Sequence, residues 1–226
     1  MFIMPMSAVG FGAHQSAPSV TLSYVLSDTS SSNATDYSGD FDGKSIGTAA
    51  SDRQVIICTY GPRSSAGARS ASVLIGSTTA TPLVTANSSG GEYVGIFSAT
   101  ITSGTTADID VIFNSSMLGC AISIYTATGA ATSASDTMTN VDTDPLAGAI
   151  TVPAGGAVVT VAGASFRSTT NFNYTNATED HDAVFDSNFH FSTAQSTASG
   201  TYTITADADG NTSGDSMLAA VAFAVA

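Results

Sequence analysis

The run Asp52-Arg53-Gln54-Val55-Ile56-Ile57-Cys58-Thr59-Tyr60 constrains this chain more than any other stretch. Turn-forming residues Gly47 to Ser51 precede it and Gly61-Pro62 closes it. A short apolar run rich in β-branched residues, bounded by breakers, predicts a strand buried on both faces. It is expected to be the central strand of a sandwich, with the other strands laid around it.

The rest of the chain repeats the strand signal. Val20, Leu22, Tyr24 and Leu26 alternate with mostly polar partners. Ser27 to Ala34 reads as a loop, and Tyr37 to Phe41 as a short strand ended by the turn Asp42-Gly43. Residues 68–84 read as a hairpin about Gly76-Ser77. Glu92 to Ile101, Ala107 to Phe113 and Gly119 to Thr126 read as strands. In the last two, Ile109, Val111 and Phe113, then Cys120, Ile122 and Ile124, each define one face. Residues 149–162 read as a second hairpin, followed by strands at 171–174, 184–191 and 202–206 and a turn at 207–211. Met217, Ala219, Val221, Phe223 and Val225 fall at alternate positions of a buried closing strand.

No helix-period apolar pattern exceeds two turns, so helical crossovers of a parallel sheet are not expected. The predicted fold is all-β: an antiparallel two-sheet β-sandwich, jelly-roll-like, with an extended N-terminal arm. Val55, Ile57, Ile109, Val111, Ile122, Ile124, Val221 and Phe223 are the expected core. Residues 127–145, poor in large apolar side chains, read as a long loop or a linker. A single domain over 18–226 is preferred, because the segment after 145 offers only about five strands, a marginal core by itself.

Met1-Phe2-Ile3-Met4-Pro5-Met6 is apolar but lacks the basic start of a secretory leader, and Pro5 and Gly10 interrupt it. Residues 1–17 are expected to form an arm anchored on their own sandwich or on a neighbour; methionine suits an adaptable docking surface. The chain carries 18 acidic and 5 basic residues, net −13, which excludes a binder of nucleic-acid backbones and argues against anionic membranes. Its two cysteines, Cys58 and Cys120, read as buried thiols, with a disulfide open only if their strands are neighbours in matched register.

Catalytic motifs are missing. No Gly-x-Ser-x-Gly occurs, and Lys44, the only lysine, follows no phosphate loop. Glu179-Asp180-His181-Asp182, with Asp186 and His190, has groups that bind divalent metals or move protons. As an exposed turn it needs no such cause. Asp207-Ala208-Asp209-Gly210-Asn211 has the wrong spacing for a Ca²⁺ loop. Phe172, Tyr174, Phe185, Phe189 and Phe191 alternate as core residues do, rather than as sugar platforms. No catalytic residue, cofactor or metal site is therefore expected. Arg53, Arg63 and Arg69 are three of the five basic residues in one short stretch. They would meet carboxylates of a neighbouring copy or pair within the chain. The expected partner contacts are Met1, Phe2, Ile3, Met4, Met6, Arg53, Arg63 and Arg69.

Two stretches carry a resemblance. Asn33-Ala34-Thr35-Asp36-Tyr37 leads through Gly47-Thr48-Ala49-Ala50-Ser51-Asp52-Arg53 into the apolar run, and Ser72-Val73-Leu74-Ile75-Gly76 is followed by Met117-Leu118-Gly119-Cys120. Over residues 20–130 this order resembles poorly characterised tailed-phage and prophage virion structural proteins. The resemblance implies a non-enzymatic virion component, either a capsid decoration or cement protein or a tail-associated subunit. Its partners would be identical subunits and other virion proteins. The rival expectation is a receptor- or glycan-binding module of a tail fibre or cell-surface adhesin. A secreted hydrolase is disfavoured by the missing motifs.

Overall fold

A computed structural model describes residues 17–63, 65–165, 171–186, 188–209 and 215–226. Met1, Phe2, Ile3, Met4 and Met6 of the expected arm lie outside the described residues. The described chain is all-β. Its first half carries β1 (Thr21–Ser30), β2 (Ala34–Asp36), β3 (Lys44–Ser45), β4 (Gln54–Gly61), β5 (Ala71–Ile75), β6 (Thr78–Thr79), β7 (Thr81–Asn87), β8 (Tyr93–Thr100), β9 (Thr106–Ala107), β10 (Ile109–Met117) and β11 (Cys120–Thr128). The second carries β12 (Ala130–Val141), β13 (Leu146–Val152), β14 (Ala157–Ser165), β15 (Phe172–Thr175), β16 (Thr178–Phe185), β17 (Phe189–Ser196), β18 (Gly200–Ala208) and β19 (Ser216–Val225).

Among the described residues the two sheets expected are in fact five, all antiparallel. The first half forms an inner sheet β1-β11-β4-β8-β7, an outer sheet β2-β10-β5-β6 and the small pair β3-β9. The second forms an inner sheet β12-β19-β14-β17-β16 and an outer sheet β13-β18-β15. With the two-residue strands set aside, each half has eight strands in the same order: inner 1-8-3-6-5, outer 2-7-4. The duplication is of topology, without a sequence repeat.

Three apolar clusters separate four layers. Val55 and Ile57 of β4 pack with Val73, Val111 and Phe113 between the first inner and outer sheets. Ile56, Cys58 and Tyr60, the alternate residues, pack with Val159, Val161, Val221 and Phe223 between the two inner sheets. Val158, Ala162, Leu218 and Ala220 face Ile150, Ile204 and Phe172 between the second inner and outer sheets. β4 stands third of five in its sheet and is buried throughout. A strand apolar on both faces needs a layer on each side, which one two-sheet sandwich does not provide. Val55, Ile57, Ile109, Val111, Ile122, Ile124, Val221 and Phe223 are all fully buried.

Several local expectations are corrected. Residues 127–145 are neither loop nor linker: most form β12, the edge of the second inner sheet, with Ala130 and Met138 buried. Residues 149–162 are not a hairpin, since β13 pairs with β18 while β14 pairs with β17 and β19. Within 68–84 the turn at Gly76-Ser77 closes only the short β5–β6 pair, and β7 then crosses to β8. Tyr37 and Phe41 belong to turns rather than a strand, yet both are fully buried. β1 runs on to Ser30, where a loop was expected. A register shift between Tyr24 and Leu26 changes its phase, so Leu22 and Tyr24 pack on the middle cluster and Leu26 on the first one.

Candidate functional site

The residues singled out by sequence fall in three places. Arg53 lies at the start of β4, and Arg63 and Arg69 lie beyond its end. Eight extended residues put roughly 25 Å between the ends, so the three arginines form no common patch. Arg53 is 0% exposed. Its Nε donates to Ile101 O at 2.7 Å, Nη1 to Ile46 O at 3.2 Å and Gly47 O at 2.7 Å, and Nη2 to Ser103 O at 2.8 Å and Gly104 O at 3.0 Å. It is a clamp on two loops, and a contact of this side chain with a neighbouring subunit is corrected. Arg69 is likewise buried and local: it donates to Gly67 O, Ser65 O and Ser65 Oγ, while Asn87 grips its backbone on both sides. Loop carbonyls, with no carboxylate among them, hold both guanidinium groups, and nothing in the residue pattern announced that.

Arg63 sits at the joint between the halves. Its Nε lies 3.5 Å from Glu92 Oε1 and its Nη2 3.2 Å from Asp215 Oδ2. Asp142 completes the joint, accepting from the Ser89 amide at 2.9 Å and the Asp215 amide at 3.1 Å. Glu92 is fully buried and bonded to the Ser88 hydroxyl. Burial raises its carboxyl pKa above the ordinary value, and Asp215 adds to this, while Ser88 and Arg63 pull the other way. A raised folded-state pKa means that the folded chain binds the proton more tightly than the unfolded chain. Glu92 thus favours folding less as pH rises from the ordinary carboxyl value through the raised one. Glu92→Gln should therefore gain in stability relative to the wild type as pH rises above the ordinary carboxyl value. Urea titrations at successive pH values measure the difference, and one that stays flat with pH contradicts the assignment.

The third place is the 179–190 cluster. Expected as an exposed turn, residues 179–182 instead lie within β16, paired to β17. A register shift between Glu179 and His181 lets neighbouring residues share a side. Asp180 accepts from Tyr125 Oη at 3.0 Å and Gln195 Nε2 at 2.9 Å, on the side of the first half. His181 lies against Phe191, with ring centroids 5.7 Å apart, and burial holds its pKa below the ordinary imidazole value. On the other side Asp182 binds His190 Nε2 and accepts from the Phe172 amide at 2.8 Å. The His190 ring packs 4.7 Å from that of Phe172 and is 1% exposed. An imidazole sealed in this way cannot reach a substrate in solvent. Among the described residues no group of three His, Cys, Asp or Glu side chains is placed to hold a metal. The aromatic residues of this region are core, as expected: Phe172, Phe185, Phe189 and Phe191 are buried.

Cys58 faces the middle cluster and Cys120 the first one, on opposite faces of one sheet, and both are free. Neighbouring strands that present their thiols to opposite faces cannot form a disulfide. Burial pushes the Cys120 thiol up to about 12 and Cys58 higher still. Both thiols should resist a soluble thiol reagent in the native protein and react fully after denaturation. One fast-reacting thiol per native chain would contradict this.

The described residues also leave open grooves. One of about 390 Å³ is lined by Asn176, Ala177, Thr178, Ser196, Ala198 and Tyr202. Another of about 460 Å³ runs over the start of β1 beneath Gly47 to Ala50. Sequence reasoning pointed to neither, because hydroxyl and alanine linings give no motif. Among the described residues no helix is long and apolar enough to cross a membrane. Comparison of the chain with protein-family models, with curated proteins and with solved structures finds no match.

Proposed function

We propose that this chain is a non-enzymatic structural subunit of a virion, built as two jelly rolls in tandem and acting as a capsid decoration or tail-associated protein. The observation that carries the reading is the duplicated strand order, inner 1-8-3-6-5 against outer 2-7-4. Strands one, eight, three and six facing two, seven and four, with the fifth strand at the edge beside the sixth, support a jelly-roll reading of each half. Jelly rolls recur in viral shells and in lectins. A fold alone does not choose between them, so the site must. Here the polar clusters are sealed or structural, and the two halves share one apolar middle layer. A rigid block of this kind, with a surface of Ser, Thr and Asn, suits repeated placement on a larger particle.

The rival, a receptor- or glycan-binding module, draws on the groove beside Tyr202. Sedimentation of the full chain, alone and with particles lacking it, separates the two. Self-association or particle binding, visible as added density by electron microscopy, is the expected result. A monomer that joins no particle and binds a glycan on an array overturns it.

A further inference from the structure

We propose that the second outer sheet is completed by the segment preceding Ala17 of a neighbouring copy, added as a strand along β18. The inference rests on the assembly proposed above and names its contact. In the first half, the opening five residues of β10, Ile109 to Phe113, pair with β5. In the second half, β15 pairs only with Thr205 to Ala208 of β18. The opening residues Gly200 to Ile204 pair with β13 on one side, and no described strand pairs with them on the other. The Tyr202 groove of about 390 Å³ lies along that open side.

The backbone there points away from β13 and is only partly capped. Asn176, in the left-handed conformation at φ 65°, donates its Nδ2 to Thr203 O at 2.8 Å. It supplies the hydrogen bond that a further strand would give. In an antiparallel ladder a residue's N–H and C=O point the same way. The Thr203 amide therefore faces the groove as well, and so do the backbone groups of Thr201 two residues away. An open edge of this kind recruits an extended peptide through main-chain bonds.

Several other edges carry a charge or a proline, and this stretch carries neither. β16 carries Glu179, Asp180 and Asp182, β7 carries Pro82, β1 carries Asp28 and β12 carries Asp136. Such residues discourage pairing. On β13, the Asp136 carboxylate already accepts from the Thr151 amide at 2.7 Å. Gly200 to Ala206 holds no charge and no proline. Val184 is the one large apolar side chain exposed among the described residues, so an apolar patch is not the route to association.

The occupant follows from where the chain leaves the fold. Val20 N donates to Gly155 O at 2.7 Å, which pins the segment's exit at the β13–β14 turn. Val152, at the end of β13, pairs with Gly200, so the groove opens at that same end of the molecule. Sixteen extended residues reach roughly 50 Å. Val20 belongs to the middle cluster, whereas the groove lies by the second outer sheet. Exit and groove thus sit in different layers of one copy, and an arm donated by a neighbour makes a head-to-tail contact.

The test mixes two full-length variants, Ser7→Cys and Thr203→Cys, under mild oxidation. Thr203 is exposed, and Cys58 and Cys120 are buried and do not compete. The expected result is a 7–203 linked dimer, identified by mass spectrometry, in about tenfold excess over a Ser7→Cys and Thr78→Cys control mixture. Equal yields overturn the proposal. So does a chain carrying both Ser7→Cys and Thr203→Cys that links only within itself. If the link fails while sedimentation still shows self-association, this inference falls and the structural role stands. A chain that stays monomeric at every concentration removes both.

Discussion

Replacing Arg53 by alanine is expected to destabilise the fold by several kcal/mol, since a buried polar group left without its partner costs about 1–3 kcal/mol. The guanidinium satisfies five carbonyls from two loops, and its removal leaves them without that donor. Arg53 N also donates to Ala50 O, and Ile101 N donates to Arg53 O, so the side chain and its own backbone tie the same two loops. Lysine is not a conservative replacement. It offers three donors at one point, against five spread over a planar fork. Arg53→Lys should therefore recover less than half of the loss, while Arg53→Met, which fills the volume alone, recovers still less. Urea unfolding of the three variants measures the order. Equal stability of Arg53→Met and wild type would show that packing, not the carbonyl bonds, is what the residue supplies.

What the sequence made legible was alternation. Cys120, Ile122 and Ile124 fall on one face of β11 and Tyr125 on the other because a straight strand sends successive side chains to opposite faces. The closing strand divides in the same way, Met217, Ala219, Val221 and Phe223 against Leu218, Ala220 and Ala222. β12 was hidden for the converse reason. An edge strand with small and hydroxyl side chains has no apolar stripe, and its pairing with β19 is interrupted twice. With β12 read as a loop, the second half looked too small to stand as an equal of the first.

The candidate sites were less legible than the fold. The 179–182 tetrad looked like a turn because an edge strand with charge on it resembles one in composition. Its geometry depends on the register shift at Asp180, which no residue type signals. The arginines were visible as residues but not as clamps, since the carbonyls they hold come from loops as distant as Ser103 and Gly104. The topological duplication left almost no trace in residue identity. Gln54-Val55-Ile56-Ile57 and Ala157-Val158-Val159-Thr160 open equivalent third strands and share one valine, burial and β-branching.

Gly163→Ala is expected to cost about 1–3 kcal/mol, the usual penalty for overpacking a filled core. The sign is the informative part, because alanine in a strand interior is otherwise favoured over glycine by about 0.5–1 kcal/mol. A Cβ at this position would stand 2.5 Å from Tyr60 Cδ2 and 2.7 Å from Tyr60 Cε2. Tyr60 cannot yield easily. Its ring stacks on Phe191 at 6.4 Å with an interplanar angle of 5°, meets Phe185 edge-on at 6.1 Å, and its hydroxyl lies 2.6 Å from Ser165 Oγ. The contact crosses the middle layer, β4 of one half against β14 of the other, so it reports on how tightly the halves are joined. Tyr60→Ala alone should cost about 3–5 kcal/mol. In that background Gly163→Ala should become neutral or stabilising, giving a coupling of about 2 kcal/mol between the two positions. A double-mutant cycle by chemical denaturation measures it. Additive effects would mean that the inner sheets relax apart at Gly163, and that the two halves are not joined there as one block.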